Sequence, residues 1–116
     1  MTATLIKKEN IEFIHRGGPP GKSFVGRTVS DDMSSTMAAG IASFDACSIP
    51  WTVLYDEIVY VISGVFRLVM ENETIEGVAG DTIFIEKGTS FNYEGDEASI
   101  FYAVYPGNWK SLTKAQ

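Results

Sequence analysis

Glu57 sits alone in an apolar stretch, Asp56-Glu57-Ile58-Val59-Tyr60-Val61-Ile62-Ser63-Gly64. A carboxyl group among apolar side chains resists ionisation, so its pKa rises and it can give or take a proton near neutral pH. The same group could equally be structural, accepting hydrogen bonds from Tyr55, Thr52 or Tyr93. Asp56, next along the chain, would face away into solvent. Other reactive groups are few, with one histidine, His15, and one cysteine, Cys47. Zinc, iron and copper sites want imidazole or thiolate ligands, and the chain holds too few of either. His15, beside a glycine-proline stretch, reads as a solvated loop residue, and Cys47 reads as a small buried hydrophobe. No metal and no other cofactor is expected.

The elements that must position Glu57 read as strands. Apolar runs rich in Val, Ile, Phe, Tyr and Thr recur at Phe24 to Val29, Met37 to Phe44, Ile49 to Tyr55, Ile58 to Ile62, Phe66 to Met70, Thr82 to Ile85 and Ser99 to Tyr105. Such residues fit a pleated, half-buried surface. Ser63-Gly64 separates two runs as tightly as a hairpin connection would. A helical pattern emerges only between Pro106 and Ala115, with Asn108 to Leu112 a short terminal helix. This many short strands in one chain predict an all-β sandwich or barrel.

Residues 1–22 read as an extended arm followed by a loop, and residues 23–116 as the barrel. Within the first part, Arg16-Gly17-Gly18-Pro19-Pro20-Gly21-Lys22 is the stretch richest in turn formers. It reads as a long connector; a phosphate-holding loop is the other possibility, although the P-loop spacing is missing.

At 116 residues the chain makes one domain with a single core. A net charge of −6 and a pI near 4.6 argue against a nucleic-acid partner. The longest apolar run is too short to span a bilayer, and Lys7, Lys8 and Glu9 stand where a signal peptide needs apolar residues. A single cysteine fits a reducing compartment, so a cytoplasmic location is expected.

Two segments carry a resemblance to a known family. Glu57 precedes Gly64 by six intervening residues, and Gly80-Asp81-Thr82-Ile83-Phe84-Ile85-Glu86-Lys87-Gly88-Thr89-Ser90-Phe91 follows. This pair is similar to the two sequence boxes of the cupin superfamily. Pro50-Trp51-Thr52-Val53, Tyr60-Val61, Glu86-Lys87-Gly88-Thr89-Ser90 and Tyr102-Ala103-Val104-Tyr105-Pro106 with Trp109 most resemble the C-terminal domain of the ethanolamine-utilisation protein Q branch. The resemblance implies a cupin double-stranded β-helix, a jelly-roll barrel, with a short C-terminal helix. It also implies a link to ethanolamine breakdown in bacterial microcompartments, where acetate kinase activity is attributed to longer members with an N-terminal region.

Metal-dependent cupins place three histidines and a glutamate around the ion. Here Trp51 and Val53, or Pro50 and Thr52, occupy the first two histidine positions and Phe91 the third. The implied site is therefore an apolar pocket with a few polar groups, of the kind that takes a small polar metabolite. Its lining is expected from Trp51, Tyr55, Glu57, Lys87, Phe91, Tyr93 and Tyr102, with Glu57 the acid–base group. Trp51 could stack on a cationic amine. Tyr102 and Tyr105, on opposite faces of one strand, cannot both point inward.

A solidly packed barrel is the structural alternative. The competing functions are a metal-dependent dioxygenase or isomerase with an atypical site, and a dimeric assembly module. A homodimer is expected, with the arm from Thr2 to Ile14 adding a strand to a partner's sheet edge.

Overall fold

The structure, a computed structural model, describes residues 1–114. Its order is β1 (Ile14–Gly17), β2 (Lys22–Val29), β3 (Ala38–Asp45), β4 (Ser48–Thr52), β5 (Asp56–Val69), β6 (Thr74–Val78), β7 (Thr82–Ile85), β8 (Ser90–Tyr105) and α1 (Trp109–Lys114). All pairings are antiparallel. The expected all-β barrel with a short terminal helix is what forms. Of the helical stretch read from sequence, Ala115 lies outside the described residues.

Two long strands hold the barrel together. The first half of β5 lies between β7 and the second half of β8, which continues to β3, β2 and β1. The second half of β5 lies between β6 and the first half of β8, which pairs with β4 on its other side. Each long strand therefore crosses from one sheet to the other. In doing so it changes the parity of its inward residues. Along β5, Glu57, Val59 and Val61 are buried, and then Phe66 and Leu68. Along β8, Phe91 and Tyr93 are buried, and then Ala98, Ile100 and Val104.

A period-2 strand cannot change parity without an irregularity. The β5–β8 register shifts around Ser63, between Val61 and Val65. There Gly64 takes φ +74° and, across from it, Glu97 takes φ +47°. The Glu97 N–H is held by Asp45 Oδ1 at 3.0 Å. Ser63-Gly64 is thus a bulge inside one bent strand, not the hairpin turn that its composition suggested. Both strands bend at the same level, so their side chains keep facing one core.

The N-terminal stretch differs from its sequence reading too. Arg16 and Gly17 end β1 and Lys22 begins β2, which leaves a compact turn in place of a long loop. A single 3-10 turn forms at Lys8–Asn10. Ile11 and Phe13 then lie over Gly26 of the same chain, so close that a Cβ there would collide with them. Inside the core Phe44, Phe66 and Tyr93 pack together, with ring centroids 4.8 to 6.1 Å apart. Cys47 is buried, as its sequence reading held, and burial pushes its thiol pKa up.

Gly64 combines a positive φ with the close approach of the Glu97 backbone, whereas Gly80 has φ +96° and open space around it. Gly64→Ala should cost about 3 kcal/mol and Gly80→Ala about 1 kcal/mol, because only the first adds a clash to backbone strain. Urea unfolding of the two variants measures this; equal losses would remove the bulge from its structural role.

Candidate functional site

One end of the barrel is open, and a cavity of about 580 Å³ enters it. Glu57 lies at its floor, only 3% exposed, because the alternation of β5 turns it inward with Val59 and Val61. Tyr93 arrives from the first half of β8, and its hydroxyl donates to Glu57 Oε1 at a long 3.4 Å. This contact crosses the sheet change, so it exists only because both long strands shift parity.

Arg16 provides the counter-charge. It stands on the edge strand β1 and reaches over the cavity wall. Its guanidinium carbon lies 4.7 Å from the centroid of Tyr93, 5.2 Å from Trp51 and 5.9 Å from Phe44. Such stacking favours a cation by roughly 0.5–2 kcal/mol, more where water is excluded. Arg67 makes ion pairs with Glu76 and Asp96 elsewhere on the barrel, and none joins Arg16 to Glu57. Arg16 and Glu57 therefore act on each other through space without direct contact. Both line the same cavity.

A second group frames the mouth. Trp51 Nε1 donates to the Tyr55 hydroxyl at 2.9 Å. The Trp109 ring stands 5.1 Å from Tyr55 and 6.2 Å from Trp51. Since the Tyr55 oxygen accepts from Trp51, its own proton is left to point elsewhere. Tyr102, on the inward face of β8, also lines the cavity, while Tyr105 is 60% exposed. The two tyrosines thus part as the strand period requires.

Electrostatics follow from burial. Burial pushes Glu57 up from the usual 4.5 to about 7, although the Arg16 charge and the Tyr93 hydrogen bond pull it back. Burial, with the Glu57 charge added, pushes Tyr55 up to about 12. Burial raises Tyr93 and Tyr102 as well, with Glu57 adding to both.

Of the residues proposed from sequence, Trp51, Tyr55, Glu57, Tyr93 and Tyr102 meet around one cavity. Lys87 and Phe91 do not join them. Phe91 is buried edge-on against Tyr93, with centroids 4.8 Å apart. Lys87 lies exposed beyond β7, its backbone N–H donating to Asp56 Oδ1 at 2.9 Å. Histidine-box spacing identifies positions along a strand, but Phe91 faces the packed core rather than the open end. His15 is exposed and packs edge-on against Phe24.

Sequence reasoning passed over Arg16, Arg27 and Trp109, all of which line the cavity. A buried carboxylate calls for a cation, and that requirement was the available signal for Arg16.

The metal implied by the cupin resemblance does not fit these donors. Among the described residues no three of His, Cys, Asp and Glu come together. Glu57 is a single carboxylate surrounded by phenols and a guanidinium, whereas zinc and iron sites take several imidazole, thiolate or carboxylate ligands.

Glu57 makes stability depend on pH in a defined direction. An unfolded carboxyl ionises near 4.5 and the folded one near 7. Between these values the folded state holds a proton that the unfolded state has released, so stability falls as pH rises through this window and then levels off. The expected loss is about 3 kcal/mol, at ~1.4 kcal/mol per pH unit. Glu57→Gln should flatten this slope and be more stable than wild type at pH 8. Thermal melts between pH 4 and 8 test it; an unchanged slope in the variant would show that Glu57 is not the titrating group.

With the geometry in hand, known proteins supply the context. The family described as ethanolamine utilisation protein EutQ matches residues 4–111. The chain is 40% identical over 86 residues to the acetate kinase EutQ of Salmonella typhimurium, a match covering 72% of this chain and 37% of that protein. The chain thus spans about a third of that relative's length. An ethanolamine utilization protein Q from Salmonella typhimurium superposes with a TM-score of 0.79 at 33% identity, over 90% of this chain and 86% of that one. An RmlC-like cupin from Shewanella frigidimarina superposes with a TM-score of 0.67 at 16% identity, over 90% and 92% of the two chains, a likeness of fold alone. The family match runs through nearly the whole sequence and the barrel agrees with it: the chain belongs to the EutQ family of ethanolamine utilisation proteins and has the cupin fold.

Proposed function

We propose that the barrel binds a small metabolite bearing a carboxylate, without a metal. The observation that carries this reading is the pairing of Arg16 with Glu57 across an open cavity, both held in place and neither in direct contact with the other. A guanidinium stacked on aromatic rings, with Tyr93 taking part of its hydrogen bonding, can offer the rest of its fork of donors to a planar anion. Glu57, raised to about 7, carries a proton in about half the molecules near neutrality and can donate to a ligand oxygen. The walls are mostly apolar, including Val25, Ala42, Ile49 and Ile100, and suit a short carbon skeleton. The Salmonella relative is named for acetate, itself a carboxylate.

This favours an anion at Arg16 over a cationic amine, because the aromatic faces that would hold an amine already carry the guanidinium. The Gly17–Ser23 stretch supports no phosphate-holding role, since strand and turn take it up. The reading therefore extends to binding of the carboxylate and leaves phosphoryl transfer aside. It places the chain beside ethanolamine breakdown, in the cytoplasm. Among the described residues no helix is long and apolar enough to cross a membrane.

Saturation-transfer NMR with acetate, propanoate and pyruvate, set against ethanolamine, tests the reading. Carboxylates should bind and the amine should not, with signals unchanged by a chelator. Arg16→Gln should weaken binding about 30-fold, the loss of one charge-assisted contact worth roughly 2 kcal/mol. Binding that vanishes with the chelator, or survives intact in the variant, would overturn it.

A further inference from the structure

Carboxylate binding uses Arg16 and the protonated form of Glu57, and leaves ionised Glu57 and the hydroxyls of Tyr93 and Tyr55 without a task. Glu57 is buried, with its side chain lining the cavity. Tyr93 touches it, and the Tyr55 hydroxyl, fixed by Trp51, has a proton to give. We propose that this barrel catalyses proton exchange at the carbon beside the carbonyl of a 2-oxo acid, with Glu57 as the base and Tyr55 as the donor to the developing enolate oxygen. The inference rests on the carboxylate reading above, since Arg16 anchors the substrate.

Chemistry and geometry agree. Removing a proton from a carbon next to a carbonyl requires a base at the C–H, a donor at the carbonyl oxygen and a fixed position for the rest of the molecule. Arg16, lying over Tyr93 and Trp51, is held at a distance from the Glu57 carboxylate, so a substrate carboxylate seated on it directs the carbon skeleton inward. Tyr55 and Glu57 line the same cavity.

The step balances within the site. The C–H bond breaks, its electron pair forms the C=C bond, and the carbonyl π pair moves to oxygen. The proton resides on Glu57, while Tyr55 donates a hydrogen bond to the enolate oxygen. Return of a proton from Glu57 to carbon restores the ketone, and exchange with solvent between the two events labels the substrate. No oxidant, metal or second substrate is consumed.

The groups acting on Glu57 are Arg16 from β1 and Tyr93 from the first half of β8, and the Glu57 charge in turn raises Tyr55, from the segment before β5, and Tyr102, from the second half of β8. Only Glu57 among them has a raised value close to neutrality. A base that ionises near 7 is basic enough to take a carbon-bound proton and still largely free of its own proton just above that pH. The lining also holds Arg27, Asp31 and Lys110 toward the rim.

Incubation of the purified chain with pyruvate and 2-oxobutanoate in D2O, followed by ¹H NMR, tests the inference. Signal from protons beside the carbonyl should disappear about 100-fold faster than in buffer, with the rate rising through pH 7. Glu57→Gln should return the rate to the buffer value, with saturation transfer reporting weaker binding that still depends on Arg16. Tyr55→Phe, which removes only a hydroxyl, should slow exchange about 10-fold, still above buffer, and leave the pH midpoint in place. Binding without exchange in the wild type would overturn this inference and leave the carboxylate reading standing. Absence of binding would overturn both. Exchange that persists in Glu57→Gln would remove Glu57 as the base, and an unchanged rate in Tyr55→Phe would remove Tyr55 as the donor.

Discussion

The structure depends on a constraint of β geometry: side chains alternate, so a strand that passes through two sheets must break its period to keep facing one core. Strands β5 and β8 both make this passage, and both break their period at the same level, where Gly64 opposes Glu97. Without that coincidence Glu57 and Tyr93 could not face each other, because they lie in halves of β5 and β8 that do not pair: Glu57 is opposite Val104, and Tyr93 is opposite Leu68. The bulge is therefore a condition of the site as much as of the fold.

What the bulge brings together is energetically expensive. A carboxylate at 3% exposure has lost most of its water, and one long hydrogen bond from Tyr93 replaces little of it. Arg16 offsets part of the cost at a distance, which is why Glu57 rises to about 7 and no further. A direct ion pair would have lowered the carboxyl toward its ordinary range and filled the space between the charges. Keeping the two charges apart leaves Glu57 poised between its protonated and ionised forms and leaves the cavity open. Stability is given up in return for that poise, as at many functional sites.

The sequence made most of this legible, and the exceptions have physical causes. The strands that alternate cleanly, such as β3 and β7, stand where their apolar runs lie. Glu57 was evident because a lone carboxylate in such a run is conspicuous. Ser63-Gly64 misled because glycine serves turns and bulges alike, and only pairing across to Glu97 separates them. The first half of β8 and all of β6 escaped notice, since Asn92, Glu94, Asp96 and Glu76 dilute the apolar signal on their outward faces. Arg16 escaped because its role arises from tertiary placement of a four-residue edge strand beside a glycine-proline turn. Phe91 took a site role by its position in the histidine box, yet which end of the barrel a position faces is a property of the closed sheet.

The central claim is that Glu57 is a desolvated carboxyl held near its midpoint at neutral pH by a cation that does not touch it. The ¹³C resonance of the Glu57 carboxyl, followed through a pH titration of the wild type and of Arg16→Gln, tests this most directly. The account predicts a midpoint near 7 in the wild type, moving higher when the Arg16 charge is removed. A midpoint near the ordinary 4.5, or one indifferent to Arg16, would contradict it.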